Sequence, residues 1–312
     1  MQNSLMHVLL VIDNPIRYSS RYRLYFKCIE DLLAQDVQIT VVECQQGDRP
    51  FQCKVEGTNF VGVRSKTVLW TKENLQNIGV RNLPTGWKYL TTLDADVIFR
   101  KKEWAAETVH ALQQYDVVQP WDTCYDLGPN DEHVATHTSL MKLFRTGKKL
   151  HQGPNANSGY EFGHPGYAWS WTRDALERIS GRNGPFLETA ILGAADHHMG
   201  MGLIGKALDT LPGNIGAAYR REVLNWERRA LHHVNYNVSY VPNTVEHPWH
   251  GKKERRFYVE RWGILTANEF DPDVDLKHNT FGVIELAGNK PKLGAQIDGY
   301  MRSRDEDGNS LF

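Results

Sequence analysis

Short apolar runs rich in β-branched residues alternate with helix-spaced segments through the first half of the chain, and this alternation constrains the fold most. "HVLLVI" (His7 to Ile12) and "VQITVVEC" (Val37 to Cys44) read as strands. Between them, "YRLYFKCIEDLLAQ" (Tyr22 to Gln35) sets Leu24, Ile29, Leu32 and Leu33 at helical spacing. "VLWTKENLQNIGVRNL" reads as a helix, "KYLTTLDADVIF" as a strand, "EWAAETVHALQQ" as a helix and "YDVVQPW" as a further short strand. Strand and helix in turn require crossover connections, and these build a mostly parallel sheet. Such strands are covered on both faces, so they read as apolar runs rather than alternating ones. The expected class is α/β, a mostly parallel central sheet flanked by helices.

The second half is less regular and rich in Gly, Trp, His and Arg. "TRDALERI" is a helix with an N-cap at Thr172, "DHHMGMGLIGKAL" is helical but glycine-weakened, and "YRREVLNWERRALHH" is a strong helix. From about Asn268 the chain turns to turn formers and acidic residues. There is no internal repeat, low-complexity block or clear linker. A formal net charge of -1 announces no nucleic-acid or membrane partner through the overall field. Cys28, Cys44, Cys53 and Cys124 form no CxxC pair, which points to reduced thiols. "MQNSLMHVLLVIDN" has neither a basic leader nor a cleavage site, and no apolar run approaches bilayer length. The expectation is a soluble, cytoplasmic protein without a transmembrane segment.

The apolar run "YLTTL" stops at Asp94 and Asp96. In open α/β sheets, ligands sit at the carboxyl ends of strands. Carboxylates there bind Mg²⁺ or Mn²⁺, hard cations that favour oxygen ligands and often bind phosphates jointly. The spacing alone is weak, since Asp-x-Asp is expected roughly once by chance in a chain of this size. It recurs at Asp271/Asp273, Asp273/Asp275 and Asp305/Asp307, all read as solvated loops. On the motif alone, a metal site and a polar turn both stay open. Asp13 and Glu43 follow "LLVI" and "ITVV", where a carboxylate can accept hydrogen bonds from a base or ribose. Lys72 and Asn74 lie in the helix that precedes the "YLTTL" strand.

Three blocks carry a resemblance. "KENLQNIGVRNLPTGWKYLTTLDADVIF" resembles the nucleotide-sugar half of GT-A fold glycosyltransferases, especially the family 2-like group of bacterial and bacteriophage type. "HPGYAWSWTRDALERISGRNGPFLETAILGAADHHMGMGLIG" resembles their acceptor-side block. "VEHPWHGKKERRFYVERWGIL" resembles a C-terminal His-x-x-His-Gly segment. The likeness runs from about Met6 to Leu265. It implies a Rossmann-like GT-A domain over 1–265, with a nucleotide-sugar half at 1–120 and an acceptor half at 121–265. An irregular C-terminal extension, 266–312, packs on it. Two features depart from the family pattern. Ala195-Asp196 replaces the usual Glu-Asp pair, and "VIDNP" replaces the common Pro-Thr-Tyr pattern after the first strand.

The resemblance implies roles. Asp96 is a metal ligand, and Asp94 contacts the ribose or a metal-bound water. His250 is the further protein ligand, with His247 as its rival, and imidazole suits Mn²⁺ better than Mg²⁺. Asp196 is the general base of an inverting transfer, removing the acceptor hydroxyl proton as that oxygen attacks the anomeric carbon; as an N-cap it has a purely structural alternative. The donor is a nucleoside-diphosphate sugar, with UDP the expected nucleotide; its base or ribose meets the strand ends at Asp13 and Glu43, and its diphosphate the helix that carries Lys72 and Asn74. Tyr167, Trp169 and Trp171 either stack on sugar or base faces or pack in the core. Arg220, Arg221, Arg228, Arg229 and "KKERR" (Lys252 to Arg256) are either a solvated face or a basic strip. A strip would suit an anionic acceptor such as phage DNA carrying a hydroxymethylated base, beside the alternatives of a glycan or a small molecule.

Three other functions stay in play. A metal-dependent nucleotidyltransferase usually carries a Gly-rich phosphate loop, and "VIDNPIRYSSRY" has no glycine. A metallohydrolase using His197, His198, His247 and His250 lacks a recognisable spacing. A catalytically inactive sugar-nucleotide or glycan-binding module is supported by the missing acidic neighbour of Asp196. The sequence leaves the oligomeric state open.

Overall fold

A computed structural model describes residues 6–150 and 162–308. Residues 1–5 and 309–312, the ends of the expected domain and extension, and 151–161 of the expected acceptor half lie outside the described residues. The chain runs through β1 (Met6–Asp13), α1 (Ser19–Leu33), β2 (Gln38–Gln46), β3 (Asn59–Ser65), α2 (Lys72–Arg81), β4 (Tyr89–Leu93), β5 (Ile98–Phe99), α3 (Trp104–Leu112), β6 (Val117–Gln119), β7 (Thr123–Leu127), β8 (His133–Thr138) and α4 (Leu140–Arg145). It continues through β9 (Ala168–Thr172), α5 (Arg173–Ile179), α6 (Ala195–Gly202), α7 (Ala217–His233), β10 (Val238–Tyr240), β11 (Thr244–His247), α8 (Trp262–Ala267), α9 (Pro272–Asp275), β12 (Leu276–His278), β13 (Ile284–Leu286) and α10 (Pro291–Ser303).

The main sheet has seven strands in the order β10-β6-β9-β4-β1-β2-β3. β1 runs parallel to both β2 and β4, and only β9 is antiparallel to its neighbours. The expected mostly parallel sheet flanked by helices is the one observed. β1 is buried on both faces because its side chains alternate between two cores. Val8, Leu10 and Ile12 pack with Tyr25, Ile29 and Leu32 of α1, whereas Leu9 packs with Leu75 and Ile78 of α2. Gly79 makes the second contact close: a Cβ there would lie 2.4 Å from Leu9 Cδ1. The order of strands reverses between β1 and β4, since β2 and β3 lie on one side of β1 and β4 on the other. Such a switch point opens a crevice beyond the carboxyl ends of the two strands. Asp13 ends β1 and Asp94 follows β4, so both reach that crevice.

"KYLTTLDADVIF" is not one strand. β4 stops at Leu93, a turn closed by Val97 N–H to Asp94 O (3.2 Å) follows, and β5 joins a second sheet of order β5-β11-β7-β8. Asp94-Ala95-Asp96 is thus the corner between two sheets, a place where a ladder ends and side chains turn outward. In the second sheet Val245 of β11 pairs with Phe99 and Glu246 with Ile98 in antiparallel register, which carries His247 toward the corner. The C-terminal region is more regular than its composition announced. α10 buries Leu293, Ile297, Tyr300 and Met301, spaced as one helical face. Among the described residues, no helix is long and apolar enough to cross a membrane. All four cysteines are buried and unpaired.

Candidate metal and nucleotide site

A cleft of about 230 Å³ opens at the switch point. It is lined by Asp13, Lys72, Asp94, Asp96, Asp196, His247 and His250, among others. These residues come from five separate stretches of chain, and the fold brings them to one place.

At its centre, Asp96 Oδ2 lies 3.2 Å from His250 Nε2 and 3.8 Å from His247 Nε2, and the two imidazole nitrogens are 3.0 Å apart. Among the described residues this is the one group of three side chains placed to hold a metal ion. The contacts around it show which atoms carry lone pairs. His247 pairs with Asp126 in the β11–β7 register, and its Nδ1 sits 3.0 Å from Asp126 Oδ1. A carboxylate there accepts a hydrogen bond from Nδ1–H, which keeps the proton on Nδ1 and leaves the Nε2 lone pair facing Asp96. Asp126 is itself fixed by the Tyr167 hydroxyl (3.1 Å), His137 Nε2 (2.5 Å) and the Lys253 ammonium. Burial works to raise its pKa, but His137, His247 and Lys253 hold it far below the carboxylate range.

Burial lowers His250 to about 4, helped by Arg256 and opposed by Asp96. Arg256 Nη2 lies 3.0 and 3.2 Å from the two ring nitrogens, a near-equality that sets it over the ring rather than in its plane. Asp96 is held below its ordinary value: burial opposes this, and His250, His247 and Arg256 outweigh it. A neutral imidazole and an ionised carboxylate are the forms a metal requires. Acceptor atoms this close repel one another unless a cation or proton lies among them. Two ligands about 2.1 Å from one ion at right angles stand about 3 Å apart, so the donor set fits a divalent cation. Oxygen with two imidazoles suits Mn²⁺ better than Mg²⁺.

Beside this group, Lys72 at the start of α2 forms an ion pair with Asp94 Oδ1. Asp94 Oδ2 also accepts from Tyr167 N–H at 3.2 Å. Burial lowers the Lys72 pKa, but Asp94, Asp196 and Glu73 together hold it above its ordinary value. Glu73, buried next to it, is pushed up to about 8 by that burial despite Lys72. Asp196 occupies the first turn of α6, and its Oδ1 accepts from His197 N–H at 2.8 Å. Gly193 (φ 91°) and Ala194 (φ 84°) before it are both left-handed. For alanine this costs about 1–2 kcal/mol. A Cβ at Gly193 would stand 2.9 Å from Arg261 Nη1. The strained turn aims the Asp196 carboxylate into the cleft.

No protein-family model matches this sequence, and no curated protein is significantly similar to it. Solved structures do match. The catalytic domain of Drosophila β1,4-galactosyltransferase 7 in complex with xylobiose is 12% identical, with 94% of this chain and 98% of that one covered and a TM-score of 0.40. A mutant of that Drosophila enzyme in complex with manganese, UDP-Gal and xylobiose is 13% identical over 92% of this chain and 97% of that one, TM-score 0.40. The 4-diphosphocytidyl-2C-methyl-D-erythritol synthase of Anaerococcus prevotii is 12% identical over 56% of this chain and 74% of that one, TM-score 0.28.

Two of the sequence candidates do not reach the cleft. Glu43 is fully buried and accepts from Gln52 N–H (2.8 Å), Cys53 N–H (2.9 Å) and the Gln45 amide (2.7 Å), so it binds a loop to β2. Asn74 clamps α2 to the β12–β13 ribbon, donating to Gly282 O (3.1 Å) and accepting from Ile284 N–H (3.1 Å). Trp169 and Trp171 pack in the core, while Tyr167 lines the cleft and stacks on His164 at 4.1 Å. The arginines of α7 do not join "KKERR" at the cleft. Arg221 pairs with Asp273, Arg229 donates to Ile179 O (2.9 Å), and only Lys253 and Arg256 of these basic residues line it. His198 lies 1% exposed between Thr210 and Tyr219 and is no part of the His247/His250 group. Nor are all the other acidic pairs solvated loops. Asp307 caps the first turn of α1 through Ser19 and Ser20 N–H (2.9 and 2.8 Å), and Asp275 is buried against Asn289 and Lys290.

Asp13 carries a measurable cost. Burial pushes it up to about 6, with Thr71 and Arg21 pulling the other way, and its Oδ1 is buried with no hydrogen-bond partner. The folded state therefore holds a proton that the unfolded chain releases near 3.8. Stability falls as pH rises from about 4 through 6, and the loss persists above. Asp13→Asn should raise stability by about 1–3 kcal/mol at pH 8, with the gain vanishing near pH 4. Thermal melts across pH check this; equal midpoints at pH 8 contradict it.

Proposed function

We propose that this protein is a divalent-metal-dependent glycosyltransferase that moves a sugar from a nucleoside-diphosphate donor to an acceptor hydroxyl. The observation that carries the reading is the triangle of Asp96 Oδ2, His247 Nε2 and His250 Nε2 at the sheet's switch point, in one cleft with Lys72 and Asp196. The two histidines are not rivals in this reading: both hold the metal with Asp96. When bound, the metal supplies positive charge at the donor's diphosphate. Lys72, paired to Asp94, adds a fixed cation for the same developing charge. Asp13, at the end of β1, faces the nucleoside. Asp196 accepts the acceptor's hydroxyl proton while that oxygen forms its bond to the anomeric carbon. The bond from that carbon to the diphosphate oxygen breaks, and the electron pair leaves on the diphosphate. A single displacement of this kind inverts the anomeric centre.

The separation of the α7 arginines from the cleft favours a neutral acceptor, a glycan or small-molecule hydroxyl, over phage DNA. Turnover should then depend little on salt, whereas a DNA acceptor gives a steep loss. Incubation with a panel of nucleotide sugars, Mn²⁺ and acceptors tests the reaction. Release of nucleoside diphosphate with an inverted glycoside is expected. Pyrophosphate release makes the protein a nucleotidyltransferase, and binding without any turnover makes it an inactive module; either result overturns the proposal.

A further inference from the structure

The last described residues reach back to the cleft. Met301 and Arg304 line it, Asp305 N–H donates to the Tyr18 hydroxyl (3.1 Å), and the Trp249 indole donates to Gly308 O (2.7 Å). Glu306 is 1% exposed at the centre of this contact. Its Oε2 accepts from Arg21 Nε (2.5 Å), and its Oε1 accepts from Arg21 Nη2 (2.8 Å) and Arg304 Nε (2.6 Å). Its Oε2 also faces His250 Nδ1 at 3.7 Å. Arg21 in turn donates from Nη1 to Asp13 O at 2.7 Å. One buried carboxylate therefore stands between the histidine beside Asp96 and the end of β1.

We propose that Glu306 is a positioning residue for the metal site. The inference rests on the metal reading above. An anion on the Nδ1 side of His250 favours the Nδ1–H tautomer and leaves the Nε2 lone pair toward Asp96. Asp126 does the same for His247 from the other side. Arg21 and Arg304 hold the carboxylate in place and balance its charge, so it can stay ionised in a buried position.

The test uses the full chain and two probes, Mn²⁺ alone and UDP without metal. Mn²⁺ affinity is read from the electron paramagnetic resonance of the free ion, and UDP affinity from calorimetry. Glu306→Gln is expected to weaken Mn²⁺ by about 10–100-fold, the range for losing a group that orients a metal-bound histidine. UDP affinity without metal should change by less than about threefold. Equal weakening of both probes, or unchanged Mn²⁺ affinity in a folded variant, overturns the assignment. If the glutamine variant does not fold, Glu306→Asp decides. It keeps the charge for Arg21 and Arg304 but draws the oxygen away from His250, so weaker Mn²⁺ binding supports the role and wild-type affinity overturns it. Wild-type protein that binds no Mn²⁺ overturns the metal reading and this inference together, whereas variants indifferent to Glu306 overturn this inference alone.

Discussion

Asp196→Asn is expected to lower the turnover of sugar transfer by about 10²–10⁴-fold, the range for removing a positioned general base. The substitution keeps the side chain's shape, and its oxygen can still accept the His197 N–H bond that Asp196 makes at 2.8 Å. The first turn of α6 and the cleft should therefore persist, and Mn²⁺ and nucleotide affinities should stay within about threefold of wild type. What is lost is the lone pair that takes the acceptor's proton. Ala194, not Asp196, is the N-cap of α6, so the structural alternative is support of the first turn, which predicts the opposite pattern, lower stability with turnover preserved in the folded fraction. Steady-state turnover and calorimetric affinities, measured on the same preparation, separate the two. Undiminished turnover removes Asp196 from the chemistry.

Asp96→Ala carries the second large effect. It deletes the only carboxylate of the group, leaving two imidazole nitrogens 3.0 Å apart with no anion opposite. Mn²⁺ affinity should fall by more than the roughly 10–100-fold that loss of an orienting partner costs, because a donor atom itself is gone. Turnover at micromolar Mn²⁺ should vanish. In wild type, Mn²⁺ at a hundred times its dissociation constant should raise stability by about 2.7 kcal/mol, seen as a higher melting midpoint. The variant at the same concentration should show no rise. An equal rise in both proteins places the metal elsewhere.

The strand ends of the main sheet were legible in the sequence because both-face burial leaves unbroken apolar runs, and β1 and β4 stop where those runs meet Asp13 and Asp94. Which side chain then faces the cleft was not legible. Glu43 was expected at a strand end, but β2 runs on to Gln46; Glu43 pairs with Ile12, one position before Asp13, so it faces the other side of the sheet and meets the loop at Gln52. Lys72 and Asn74 share the first turn of α2, yet positions two apart stand on nearly opposite sides of a helix, so Lys72 enters the cleft and Asn74 meets the β12–β13 ribbon. Asp126 and Glu306 carried no signal at all. One is a lone acid in a strand of the second sheet, and the other sits in "SRDEDG", which composition reads as solvent-facing. Their meaning lies in partners 121 and 285 residues away, His247 and Arg21, and no local pattern encodes such pairings.

The central claim is that Asp96, His247 and His250 hold one divalent metal against a nucleoside diphosphate. An anomalous difference map from crystals grown with MnCl₂ and UDP tests it most directly. The account predicts one strong peak within bonding distance of Asp96 Oδ2, His247 Nε2 and His250 Nε2, with the diphosphate on its open side toward Lys72. A nucleotide bound in the cleft with no peak at those atoms, or a peak held by other residues, would contradict it.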